Sequence, residues 1–136
     1  MPLAPRHVAL ALWLLPFVTA RAQQPGPTRA DTLRGSITPE RAWWDVTFYD
    51  LHVKLDPADS TIRGWNGITY RVTGKSRAMQ IDLQEPLAID SVVQDGRKVT
   101  YRRDGNAFFL ALSGQRVGTA RTVTIYYSGR PRVAER

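Results

Sequence analysis

The sequence predicts an all-β domain, an antiparallel β-sandwich or curved sheet of about seven short strands, preceded by a signal peptide. Three observations lead there. Apolar residues recur at every second position through most of the chain after residue 45. Turn-forming Gly, Pro and Asp residues interrupt these runs at short intervals. No stretch after residue 22 carries a helical period.

The amino terminus reads as an export signal. Arg6 and His7 form a short basic flank, and Val8 to Val18 is an apolar run of 11 residues. A membrane-spanning helix needs about 20 such residues, so the run suits a secretory signal. Ala20 and Ala22 give the small-x-small pattern of a cleavage site, with Gln23 as first mature residue. The expected location is therefore periplasmic or extracellular, with no stable membrane span after cleavage. Arg6 and Arg21 leave with the signal, so 17 basic residues face 12 acids in the remaining 114, a net charge of +5. That balance does not call for nucleic acid, and none is expected as a partner.

Residues 23–42 are rich in Gln, Pro, Gly, Thr and Arg without a sustained period and read as a flexible leader. The ordered domain is expected over 43–136. In its first strand Tyr49, Leu51, Val53 and Leu55 share one face, while Phe48, Asp50, His52 and Lys54 share the other. This is the pattern of a half-buried strand. Pro57 to Ser60 forms a turn, and Ile68, Tyr70 and Val72 continue the alternation on the return strand. Gly64 and Gly67 inside that strand predict a bulge or a close backbone approach. Met79, Ile81 and Leu83 make a third strand, ended by Pro86, and Leu87 to Val93 a fourth. Asp95-Gly96 is a hairpin turn that leads to a strand through Val99 and Tyr101. After a second turn at Asp104-Gly105, Phe108, Leu110 and Leu112 form a sixth strand. Val123, Ile125 and Tyr127 form the last.

Residue chemistry points away from catalysis. The chain has no Cys, which excludes a disulfide scaffold, a Cys-ligated zinc and a thiol nucleophile. His52 is the one histidine after residue 22, so a three-His or H-E-x-x-H zinc site has too few ligands. Asp56 and Asp59 read as turn residues rather than calcium ligands. Asp82, Glu85 and Asp90 read as surface carboxylates, and no serine sits in G-x-S-x-G. Arg97, Lys98, Arg102 and Arg103 read as a solvated basic hairpin.

The aromatic residues leave alternatives open. Phe48 and Trp65 lie on otherwise polar strand faces, Trp65 beside Arg63 and Arg71, with Trp43 and Trp44 nearby in sequence. Such residues pack against another domain, pack within the sandwich, or stack on a ligand such as a sugar ring. Phe48, Trp65 and Tyr126 are the candidate domain-contact residues.

Several pieces recur together from Trp44 to Pro131. They are Tyr49 to Pro57 (YDLHVKLDP), Ile62-Arg63-Gly64, Ile68 to Val72 (ITYRV), Met79 to Leu83 (MQIDL), Leu87 to Val92 (LAIDSV), Asp95-Gly96, and Val123 to Pro131 (VTIYYSGRP). In their order and spacing the chain resembles the amino-terminal domain of the aminopeptidase N-like zinc metallopeptidases, the gluzincin group. The resemblance implies a saddle-like β-sandwich ahead of a thermolysin-like catalytic domain. The family's H-E-x-x-H, its G-x-M-E-N loop and its catalytic Tyr belong to that later domain, and none occurs here. The family's substrate-facing Gln would lie beyond Arg136. The resemblance therefore implies no catalytic residue, no cofactor and no metal ligand in this chain. It implies zinc in the parent enzyme, the parent's catalytic domain as partner, and an incomplete domain over 43–136. The rival readings are a free-standing exported module binding glycan or protein through Trp43, Trp44 and Trp65, and a small enzyme of another kind.

Overall fold

Strand length decides the architecture. The computed structural model describes residues 26–132, so the expected signal peptide over 1–22 lies outside the described residues. One helix, α1 (Arg29–Gly35), precedes eight strands: β1 (Trp44–Asp56), β2 (Thr61–Val72), β3 (Met79–Asp82), β4 (Ala88–Gln94), β5 (Arg97–Lys98), β6 (Tyr101–Asp104), β7 (Ala107–Leu110) and β8 (Ala120–Gly129). All pairings are antiparallel. They build a five-stranded sheet in the order β1-β2-β8-β4-β5 and a three-stranded sheet in the order β3-β7-β6.

Local chemistry sets the turns. Between β1 and β2, Asp56 accepts from the Ala58 N–H at 3.1 Å and Asp59 from the Thr61 N–H at 3.0 Å. These are the side-chain-to-backbone bonds that favour Asp in turns. Asp95 and Gly96 both take positive φ, 52° and 72°, as the tight β4–β5 hairpin requires. The strand expected through Val99 and Tyr101 is two strands. Val99 N–H donates to Val92 O in the first sheet, and Ala111 N–H donates to Thr100 O in the second. The chain changes layer between Val99 and Thr100, which raises the count from seven to eight.

The core lies between the two sheets. Ile68, Tyr70, Val72, Ile89, Val92, Val123 and Ile125 from the large sheet meet Met79, Phe108 and Leu110 from the small one, with Trp43 at one end. Tyr70, fully buried, sits in a closed polar ring: Gln94 donates to its hydroxyl at 2.9 Å, the hydroxyl donates to Gln115 at 2.7 Å, and Gln115 donates to Gln94 at 2.8 Å. Burial raises the Tyr70 phenol above its ordinary value and keeps it neutral.

Two expectations are corrected. The leader is not free of helix. Thr28 and Asp31 form a reciprocal cap that starts α1. Gln80, on the outer face of β3, donates to Leu33 O at 2.8 Å and holds the helix against the small sheet. Seven residues make fewer than two periods, too few for helical periodicity to show in sequence. The second correction concerns β1, which contains no buried residue. Its apolar stripe is alternating but uncovered, because the small sheet is too short to reach it.

Candidate functional site

The large sheet presents two faces, and β1 and β2 fix what each carries. The register puts His52 opposite Trp65 and Trp65 opposite Tyr126. These three rings therefore line up across β1, β2 and β8 on the face away from the core. His52 lies flat on Trp65, with centroids 3.9 Å apart and planes at 16°, and its Nε2 is 2.9 Å from Asp50 Oδ1. This stack covers one side of the indole and leaves Trp65 half-buried. Tyr126 is 40% exposed and Phe48 62% exposed. Phe48 pairs with Thr69, four residues along β2 from Trp65, which separates it from the other two by roughly 13 Å. The three candidate contact residues share the outer face, with Trp65 and Tyr126 adjacent and Phe48 apart.

Gly64 explains how His52 comes to lie on Trp65. A Cβ built at Gly64 would fall 2.0 Å from the His52 carbonyl oxygen, so β1 passes closer there than any side chain allows. Gly67 makes only ordinary contacts, and the one irregularity of the pairing is in β1, between Val46 and Phe48.

The opposite face is the larger finding. By register, Tyr49, Leu51, Val53 and Leu55 lie beside Ile68, Asn66, Gly64 and Ile62, and these in turn beside Val123, Ile125, Tyr127 and Gly129. This is the core-facing side. Ile68, Val123 and Ile125 are buried, yet the four β1 residues are 47–68% exposed. A groove of about 750 Å³ opens there, floored by Leu51, Asn66 and Ile125 and walled by Ile81 and Leu83. Two polar atoms in its lining are buried without a partner among the described residues, Asn66 Oδ1 and Arg41 Nε. The sequence reading places an apolar stripe on β1 but does not find this groove. Its signal is Asn66, a polar residue at a core-facing position.

The titratable groups do not converge. Asp82 pairs with Arg41, Glu85 with Arg103, and Asp90 with Ser128. Asp104 is held below the usual carboxylate range by its hydrogen bond to Arg29. Asp59 is held low by the Thr61 hydroxyl. Arg102 lies 4.2 Å over the Phe109 ring and Arg103 5.1 Å over Phe108, so half of the basic hairpin is engaged with aromatics. Among the described residues no three His, Cys, Asp or Glu side chains gather as metal ligands. Trp43 is 3% exposed and donates to Ala78 O, and Trp44 donates to Glu40 O at 2.9 Å. Both pack against Tyr70 at steep interplanar angles; Trp43 is thereby buried, whereas Trp44 stays half-buried and lines the groove.

Solved structures similar to this chain include zinc metallopeptidases. A substrate-bound M1 zinc metallopeptidase mutant from Deinococcus radiodurans superposes with a TM-score of 0.60 at 20% identity over 70% of the chain. Native leukotriene A4 hydrolase from Saccharomyces cerevisiae superposes at 0.53 and 19% identity over 62% of the chain. The sandwich is a fold found within M1 zinc metallopeptidases. The chain spans only 22% of the length of the first structure and 15% of the second. No protein-family model matches the sequence, and no curated protein matches it.

Proposed function

We propose that the chain is the amino-terminal β-sandwich of an exported zinc metallo-aminopeptidase, without catalytic groups of its own, which supports the catalytic domain and covers one side of its cleft. The observation that carries this reading is the uncovered sheet, read together with the metallopeptidase-like fold. An M1-like sandwich whose β1 stripe stands 47–68% exposed is built to be covered by something else. Phe48, Trp65 and Tyr126 are the proposed contacts with the catalytic domain.

Zinc belongs in this reading to the parent's catalytic domain. The residues described here do not fit a zinc centre, since His52 has Asp50 beside it but no third ligand among the described residues. The rival glycan-binding module loses Trp43, which is buried in the core against Tyr70.

The test is the coding sequence after Arg136. An open frame that reaches H-E-x-x-H, and a longer protein that cleaves aminoacyl substrates in a chelator-sensitive way, support the reading. A stop codon at that point in the intact gene, with the 136-residue chain stable and monomeric, refutes it.

A further inference from the structure

The groove on the core-facing side is an interior without its second layer. Its floor is continuous with the hydrophobic core through Ile68 and Ile125, and its wall with the small sheet through Ile81 and Leu83. The small sheet ends in that wall with an open edge. Leu83 N–H donates toward β7, to Asn106 O, whereas Gln80 N–H donates the other way, to Glu40 O. Strand alternation therefore turns the Asp82 backbone N–H and C=O away from β7 and toward the groove.

We propose that one further β-strand of the same longer polypeptide lies in this groove, paired with the open edge of β3 and packed on Leu51 and Ile125. This rests on the reading of the chain as part of a longer peptidase and adds where, and with what chemistry, the rest of that polypeptide engages it. Continuity with the core argues for a permanent layer of the fold over an exchangeable ligand. Sandwich layers run nearly aligned, within about 30°. The uncovered stretch from Tyr49 to Leu55 is roughly 20 Å long, which a strand of about six residues spans.

The inward side chains of this strand are apolar, since they meet Leu51, Ile81, Leu83 and Ile125.

The chain contains no Cys, so Leu51→Cys introduces a lone thiol, and Val117→Cys on the exposed 111–119 loop is the control. N-ethylmaleimide labelling is followed by peptide mass spectrometry in the 136-residue chain and in the longer protein. We expect labelling at position 51 to slow at least ten-fold in the longer protein while position 117 is unchanged. Amide exchange at Asp82, measured without substitution, should slow in the same protein, which covers the case in which Leu51→Cys misfolds. If the longer protein is an active peptidase and position 51 still labels at the short-chain rate, the strand is absent and this inference fails while the proposed function stands. If the short chain is already protected and loses protection on dilution, a second copy fills the groove and the inference is overturned. If no peptidase follows, the proposed function falls first.

Discussion

Gly64→Ala should destabilise the domain far more than Gly67→Ala, although both sit on β2. Each substitution restricts the unfolded chain to the same extent, a stabilising effect of about 0.4–1 kcal/mol where the native backbone tolerates it. The difference is what the new methyl meets. At Gly67 the nearest atoms are 3.5 Å away, an ordinary contact. At Gly64 the methyl would lie 2.0 Å from the His52 carbonyl oxygen, and atoms closer than 3.0 Å must shift. The strands would have to part by about 1 Å around the Val53–Gly64 pair. Overpacking of this kind costs about 1–3 kcal/mol. One weakened ladder hydrogen bond adds about 0.5–1.5 kcal/mol. Against the entropy gain, Gly64→Ala should lose about 1–3 kcal/mol net, whereas Gly67→Ala, with no clash to offset, should gain up to about 1 kcal/mol. At about 4–8 °C per kcal/mol for a domain of this size, the first should lower Tm by roughly 10 °C. Circular dichroism melts and urea titrations of the 114-residue form measure both. Equal midpoints for the two variants would refute the close strand approach, and with it the account of how His52 is laid on Trp65.

Other outcomes follow from the same structure. Tyr70→Phe breaks the ring with Gln94 and Gln115 and should cost about 1–3 kcal/mol in urea unfolding, because the buried Gln94 amide and the half-buried Gln115 amide each lose one partner. Leu110→Ala, at a fully buried site, should cost about 2–5 kcal/mol, while Leu51→Ala in the same short chain should change stability by less than about 0.5 kcal/mol. The carboxyls of Asp31 and Asp104 are both depressed, the first by the Thr28 hydroxyl and the second by Arg29. Their contribution to holding α1 is present above the ordinary carboxylate range and lost as pH falls through the depressed values. Amide exchange in residues 29–35 should thus accelerate in acid before the sandwich unfolds. Amino-terminal mass analysis of the exported protein should find Gln23 first, and an intact Met1 would remove the cleavage step.

How much of this was legible in the sequence depends on the range of each interaction. Period-two runs and the Asp95-Gly96 and Asp104-Gly105 turns are local, and the strands they predict are present. The faces were legible too: Phe48, Trp65 and Tyr126 lie on the side of the sheet that alternation assigns them. The helix was not, since only its Thr28–Asp31 cap leaves a sequence trace and periodicity needs more turns than α1 has. The change of layer at Val99 and Thr100 was not, because β5 and β6 read as one alternating run. The packing of Trp43 and Trp44 against Tyr70 depends on residues far along the chain. Alternation in β1 reports that one face is apolar, not what lies on it.

That last distinction carries the functional argument. β1 has 13 residues and extends roughly 40 Å, whereas the strands that face the large sheet have four residues and extend roughly 13 Å. A small sheet of that length covers the Ile68–Val123 end and leaves the Leu51–Leu55 end bare. A bare stripe on a long edge strand invites pairing with other chains. Here the edge carries some protection, in the bulge between Val46 and Phe48 and in the charges of Asp45, Asp50 and Lys54. The core-facing stripe has no such guard, since Tyr49, Leu51, Val53 and Leu55 follow one another without a charge on their face. Selection for a free-standing domain would favour polar residues there. An apolar stripe that continues the core, beside a β3 edge, fits a sheet that is covered within a larger protein.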